Sequence, residues 1–249
     1  MAEGEWVAGL HGVRAALLHG ADAVVGVWYD SGRRDRRLHD LLTLARQARV
    51  PLHPVERAEL DRLSRGANHQ GAAAQVLIPA ALDESALERL LDGLTGPPLL
   101  LVRDGVQDPH NLGACLRAAD GAGAQAVVAP RDRSVGLTPT VCKVASGAAG
   151  QVPYVQVTNL SRCLERLRER GVWVVGCAGE AAASLYAVDL AGPLALVLGG
   201  EANGLRRLTR EHCDELVSLP MRGQVESLNV AVTAGVVLYE ALRQRGRAS

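Results

Sequence analysis

The chain has 249 residues, of which 48% are apolar and 22% are charged, and its formal net charge is zero. This profile is typical of a soluble globular protein with a hydrophobic core, and the length allows one large or two small domains. No apolar stretch approaches membrane-spanning length and no apolar run follows a basic N-terminal start, so we expect a cytoplasmic protein without a membrane partner. The zero net charge neither supports nor excludes RNA as a partner.

Five cysteines are scattered along the chain: Cys115, Cys142, Cys163, Cys177 and Cys213. They form no Cys-x-x-Cys pair, and no histidine stands at zinc-ligand spacing from them. We therefore expect reduced, buried thiols and no metal site.

The first 80 residues alternate between helical and strand-like patterns. The spacing of apolar residues predicts helices over 9–18, 35–49 and 57–63, and strands over 23–29, 51–55 and 72–78. Such alternation indicates a small α/β domain over residues 1–78.

A cluster of four arginines stands at the start of the second predicted helix: Arg33, Arg34, Arg36 and Arg37. Their planar guanidinium groups suit phosphate, which makes them candidate RNA contacts. A solvated helix start explains the same charges equally well, and both interpretations stay open.

Residues 79–98 differ in composition from the segments on either side. Pro79 opens the segment, an acidic helical stretch covers 84–94, and Gly96, Pro97 and Pro98 close it. Proline and glycine at both ends of a negatively charged segment predict a linker between two domains.

From residue 99 onward, apolar strands again alternate with helices. Strands are predicted over 99–103, 126–129, 154–157, 172–177, 194–198 and 215–219, and helices over 111–122, 138–149, 160–170 and 229–243. Apolar strands between helices indicate a mostly parallel sheet covered on both faces. Gly121 and Gly123 imitate a dinucleotide-binding fingerprint, but here the helix precedes the strand, so they are interpreted as a helix end and turn.

Three polar segments in this part of the chain carry its most specific pattern: residues 104–117, 198–204 and 219–232. Each follows a predicted strand, and the first and third run into a helix. Together and in this order they resemble the SpoU (TrmH-type) branch of the SPOUT methyltransferases. The resemblance implies an α/β domain with a C-terminal trefoil knot over residues 99–249, a homodimer, and transfer of a methyl group from S-adenosyl-L-methionine to a ribose 2′-hydroxyl of RNA.

The same resemblance implies which residues form the site. Catalytic roles fall on Asn111, Arg117, Glu201, Ser227 and Asn229, and cofactor-binding roles on Leu198, Gly199, Gly200, Gly204, Leu219, Met221, Ser227 and Leu228. A guanidinium is effectively never deprotonated, so Arg117 is expected to hold the phosphate and stabilise the developing alkoxide rather than act as a base. A surface salt bridge for Arg117, an ordinary turn at 199–204, and helix capping by Ser227 and Asn229 are the structural alternatives.

Three N-terminal segments, 9–14, 32–38 and 68–74, indicate which class of RNA is the substrate. They resemble the L30e-like RNA-binding domain of the subfamily that methylates guanosine in 23S rRNA, which implies 23S rRNA as the partner. Two alternatives remain: methylation of an rRNA adenosine, as in thiostrepton-resistance enzymes, and a non-catalytic RNA-binding protein of ribosome assembly.

Overall fold

The computed structural model describes residues 4–200 and 204–248. Its strands are β1 (Gly4–Ala8), β2 (Val24–Asp30), β3 (Leu52–Val55), β4 (Ala72–Leu77), β5 (Leu99–Asp104), β6 (Ala126–Pro130), β7 (Tyr154–Val157), β8 (Trp173–Cys177), β9 (Ala183–Ser184), β10 (Leu194–Gly199) and β11 (Glu215–Ser218). Its helices are α1 (Leu10–Gly20), α2 (Arg36–Gln47), α3 (Arg57–Leu63), α4 (Glu84–Asp92), α5 (Pro109–Gly121), α6 (Pro139–Ala145), α7 (Leu160–Glu169), α8 (Arg207–Glu211) and α9 (Val230–Ala248).

The described residues form two compact units. The first holds the residues up to Ala80 together with Leu137–Gly150, and the second holds Ala81–Gly136 and the residues from Gln151 onward. The predicted domain border at 78 lies two residues before this division, and the functional border between the domains stays a prediction.

The first unit is built on a four-stranded sheet in the order β1-β4-β2-β3. β4 runs antiparallel to both β1 and β2, whereas β2 and β3 are parallel. β1 was not predicted from the sequence; it begins at Gly4 and pairs along its whole length with β4. The alternation of helices and strands in this unit confirms the predicted α/β fold.

Helix α2 shows why the local sequence folds as it does. The carboxylate of Asp35 accepts hydrogen bonds from the backbone N–H groups of Arg37 and Leu38, which caps the helix start. One face of the helix is buried in the core of the first unit through Leu38, Leu41, Leu42 and Ala45. The four apolar positions therefore lie on the helical spacing that the sequence predicted.

The second unit is built on a seven-stranded sheet in the order β7-β6-β5-β10-β8-β11-β9. Every pair of neighbouring strands is parallel, and all six residues of β5 are buried. The apolar run Leu99–Val102 in β5 fits a parallel sheet that is covered on both faces. The predicted α/β fold is thus confirmed, while the trefoil knot that the resemblance implies stays a prediction.

The acidic segment predicted as a linker holds α4 and belongs to the second unit. Leu82 exchanges backbone hydrogen bonds with Tyr154 and Gln156 of β7, and Leu87 is buried in the core. The acids of α4 face basic residues of α7 and of the residue directly after it, in the pairs Glu84 with Arg162, Glu88 with Arg166, and Asp92 with Arg170. The local negative charge therefore matches a basic helix surface of the same unit.

Helices α5 and α9 pack against each other across the second unit. At Gly121 the hydroxyl of Tyr239 comes close to the α5 backbone, since a Cβ at that position would lie 2.8 Å from it. Gly123 has a φ of +72° just after α5, which confirms the interpretation of this glycine pair as a helix end and turn.

All five cysteines are free, as predicted. Cys115 and Cys163 are buried, but Cys142, Cys177 and Cys213 are only partly covered, so the prediction that all are buried was wrong for three of them. Burial raises the pKa of Cys163 to about 12. Within the described residues no helix is both long and apolar enough to cross a membrane.

Candidate active site

The three polar segments lie at one edge of the parallel sheet. They follow the carboxyl ends of β5, β10 and β11, and β5 and β10 are direct neighbours. In open parallel sheets this edge is where ligands bind, because the loops that leave the strands meet there. The topology therefore gathers the predicted site residues of the second unit at one edge.

The loop after β5 is tied to the loop after β10 by a buried ion pair. The Asp104 side chain is fully buried, and its carboxylate accepts hydrogen bonds from the Arg206 backbone N–H at 2.7 Å and from the Arg206 Nε at 2.5 Å. The Arg206 Nη2 also contacts this carboxylate, so two guanidinium contacts and one backbone hydrogen bond hold the start of α8 against the end of β5. This pair was not predicted, since the two residues are far apart in the chain.

Helix α5 begins directly after this loop. Asp108 caps it by accepting from the backbone N–H of His110, and this hydrogen bond lowers the pKa of Asp108. Pro109 occupies the first helical turn, where its missing N–H costs nothing. These two residues set Asn111 in the first turn of α5, as the sequence predicted.

Asn111 and Asn229 are in direct contact although 118 positions separate them. The Asn229 Nδ2 donates to the Asn111 Oδ1 at 3.0 Å. The Asn229 Oδ1 meanwhile accepts from the backbone N–H groups of Ala231 and Val232 and thus caps α9. Asn229 therefore both begins α9 and joins it to the first polar segment.

The two ends of the segment after β10, Gly200 and Gly204, lie side by side. Gly200 and Gly204 exchange two backbone hydrogen bonds, and Gly204 has a φ of +61°. A Cβ on Gly199 would overlap the carbonyl carbon of Gly204 and the backbone nitrogen of Leu205. Glycine at 199 is therefore required by the closure of the loop itself. Glu201 lies outside the described residues.

The other predicted site residues differ in exposure. Arg117 is exposed on α5. Leu219 and Met221 are half-buried, Ser227 and Leu228 are exposed, and the Leu198 side chain is buried in β10. Among the described residues Ser227 makes no capping hydrogen bond, so the capping expected of Ser227 and Asn229 comes from Asn229 alone.

The four arginines of the cluster in the first unit differ in their contacts and exposure. Arg33 is paired with Asp35 and donates to the Gln70 carbonyl, whereas Arg36 lies 4.0 Å from Asp40 and is 94% exposed. Arg34 and Arg37 are exposed. The four residues therefore do not form one uniform surface.

Comparisons with known proteins agree with this geometry. Residues 98–239 match the model of the SpoU rRNA methylase family, and residues 6–79 match the model described as RNA 2′-O ribose methyltransferase substrate binding. Two relatives named 23S rRNA (guanosine-2′-O-)-methyltransferase RlmB, from Ralstonia nicotianae and Pseudomonas putida, are each 54% identical, and the match covers 98% of each chain. Among solved structures, the SpoU methyltransferase AviRb from Streptomyces viridochromogenes, in complex with the cofactor AdoMet, has a TM-score of 0.72 at 26% identity, covering 97% of this chain and 90% of that one.

The family model covers more than half of the chain, and the relatives align with nearly all of it. The matched residues include all three polar segments at the carboxyl edge of the parallel sheet. The chain therefore belongs to the SpoU rRNA methylase family.

Proposed function

We propose that this protein methylates the 2′-hydroxyl of a guanosine ribose in 23S rRNA with S-adenosyl-L-methionine as the methyl donor. The observation that carries the proposal is the contact between Asn111 and Asn229, which joins the first and third polar segments at the ligand-binding edge of the sheet. The names of relatives that match 98% of the chain supply the substrate, and such a substrate implies a cytoplasmic protein.

The residues at this edge fit S-adenosyl-L-methionine. Gly200 and Gly204 present backbone without side chains, and Leu219 and Met221 offer half-buried apolar surface after β11. Backbone groups suit the polar parts of such a ligand and apolar side chains suit its adenine ring. When bound, the cofactor supplies an electrophilic methyl group.

Arg117 is the residue of the described site that we assign to the RNA. It lies on the same helix as Asn111, it is exposed, and its guanidinium carries a permanent charge. Its fork of donors holds the phosphate next to the reacting ribose and stabilises negative charge that develops on the 2′-oxygen. Ser227 and Asn229 orient the hydroxyl by hydrogen bonds, and Glu201 is proposed to orient Arg117 or Asn111.

We also propose a homodimer that forms through α9. Val237 and Leu238 of this helix are buried in the core, but Val232, Tyr239 and Leu242 remain exposed on the single chain. A second copy would remove this apolar surface from water, which favours association.

Two alternative functions would give different experimental results. A non-catalytic assembly protein would bind rRNA without transferring a methyl group, and a resistance-type enzyme would methylate adenosine. The Asn111–Asn229 contact and the exposed Arg117 favour an active enzyme.

The proposal is tested with purified protein and S-adenosyl-L-methionine carrying a radioactive methyl group. Transcripts of 23S rRNA, small-subunit rRNA and tRNA are offered separately, and the label in RNA is counted. We expect label in 23S rRNA alone. Label in tRNA alone, or none in any RNA although the protein binds S-adenosylhomocysteine, would refute the proposal.

A further inference from the structure

A groove in the first unit brings together three segments that are distant in the sequence. It has a volume of about 410 Å³ and is lined by Leu10, His11, Arg14, Arg33, Arg37, Asp40, Leu41 and Gln70. These residues come from the first turns of α1, from α2 and its approach, and from the loop before β4. The volume lies within the usual range of about 300–1,000 Å³ for small-ligand sites.

One wall of the groove is held rigidly. Arg33 is paired with Asp35 and donates to the backbone carbonyl of Gln70, which connects the start of α2 to the loop before β4. Gly71 makes room for this arginine, since a Cβ there would lie 2.8 Å from the Arg33 Cδ. Arg33 is therefore a structural part of the wall.

The loop before β4, to which Arg33 donates, is also held by a buried histidine. His69 is buried, and its Nδ1 accepts from the backbone N–H of Gly71 at 3.0 Å. Its Nε2 then carries the proton and donates to the Asp61 carboxylate at 3.0 Å. A loop held on both sides keeps its shape before any ligand arrives, which reduces the entropy cost of binding.

The charge of the groove is positive. Arg14 and Arg37 are exposed, and within the described residues neither has a carboxylate within 4.0 Å. Asp40 is the one acid of the lining, and its carboxylate lies 4.0 Å from Arg36, which is not part of the lining. Arginines without an acidic partner suit the phosphates of a nucleic acid.

The remaining lining suits a nucleobase. Leu10 and Leu41 contribute apolar surface, and Gln70 contributes a side-chain amide that donates and accepts hydrogen bonds. RNA-binding proteins recognise sequence mainly in unpaired nucleotides, whose base faces and edges are free. The groove combines phosphate-binding cations with surface of this kind.

We propose that this groove binds an unpaired nucleotide of the rRNA substrate, with Arg14 and Arg37 on its phosphates and Gln70 at the base edge. The inference rests on the proposed function for the identity of the RNA. It also divides the arginine cluster: Arg37 contacts RNA, Arg33 builds the wall, and Arg34 and Arg36 lie outside the lining.

The test compares two full-length double variants that lose equal charge, R14A/R37A in the groove and R34A/R36A outside it. Binding to a 23S rRNA transcript is measured by filter retention at several salt concentrations. We expect R14A/R37A to bind about tenfold or more weakly, and its salt slope to fall by roughly 1.4, because each single-strand phosphate contact contributes about 0.7. R34A/R36A should stay within about twofold of the parent.

Two further measurements keep the outcomes distinct. Both double variants should show the urea-unfolding transitions of the parent, which shows that both units are folded. The near-isosteric Q70E should also weaken RNA binding, because it removes the amide donor at the base edge and adds a negative charge to the groove. If both double variants lost the same amount of RNA affinity, or if R14A/R37A lost none, the proposal that the groove binds RNA would be overturned. Absent methyl transfer by the parent, with the binding difference intact, would refute the proposed function and leave the groove standing.

Discussion

The side chain of Asn229 has its two polar atoms in two different roles. Its Oδ1 caps α9, whereas its Nδ2 donates to Asn111 of α5 at 3.0 Å. Substitution by aspartate separates the roles, because aspartate caps helices as well as asparagine does but has no N–H to donate.

Asn229→Asp should therefore keep the free energy of unfolding within about 0.5 kcal/mol of the parent and lower methyl transfer by about 100-fold through misplacement of Asn111. Asn229→Ala should lower methyl transfer too, and it should also lower the free energy of unfolding by about 1 kcal/mol, because the helix cap is lost. Urea unfolding and single-turnover methylation measure the two effects. Full activity of Asn229→Asp would show that the contact does not organise the site.

Arg117 should be needed for methyl transfer and not for folding or for cofactor binding. Arg117→Ala removes an exposed side chain, so calorimetry should give an unchanged affinity for S-adenosylhomocysteine while the methylation rate falls by about 10²–10³. Arg117→Lys should recover little of the rate, since a point charge does not replace a planar fork of donors. Near-parental turnover of the alanine variant would remove Arg117 from the mechanism.

The two glycines that bound the loop after β10 should respond differently to an added methyl group. Gly199→Ala should abolish binding of S-adenosylhomocysteine, because its Cβ would overlap the backbone of Gly204 and Leu205 and force the loop open. Among the described residues Gly204→Ala meets no atom within 4 Å, and its positive φ costs roughly 1–2 kcal/mol. The affinity of Gly204→Ala for S-adenosylhomocysteine should therefore fall less than that of Gly199→Ala. Equal affinities for both variants would contradict the closed loop.

Arg206 should contribute strongly to stability although its side chain is partly exposed. Arg206→Ala leaves the fully buried Asp104 carboxylate without its guanidinium partner, which costs about 3–5 kcal/mol in the free energy of unfolding. Arg207→Ala is the matched control, because its ion pair with Glu211 is largely exposed and should contribute less than about 1 kcal/mol. Similar losses in both variants, measured by urea unfolding, would argue against a buried ion pair.

The sequence predicted the architecture well where local patterns determine it. Apolar strands such as 99–103 and the capped start of α5 depend on neighbouring residues, and the structure has both. β9, with two residues, and α8, with five, were missed because such short elements carry too little periodic pattern.

Contacts between distant segments could not be predicted in the same way. The Asp104–Arg206 pair joins residues 102 positions apart, and the groove lining combines α1, α2 and the loop before β4. Neither leaves a periodic signal in the sequence. The acidic segment 79–98 was predicted as a linker from its composition, but the partners of its acids on α7 lie about 80 residues further along the chain and are visible only in the fold.

The most direct test of the proposed function is the identity of the methylated nucleoside in cells. 23S rRNA is purified from matched strains with and without this gene, digested to nucleosides and analysed by mass spectrometry, and the modified position is mapped. We expect one 2′-O-methylguanosine to disappear with the gene and to return with the parent protein, but not with Arg117→Ala. Loss of a 2′-O-methyladenosine instead, or an unchanged set of methylated nucleosides, would contradict the account.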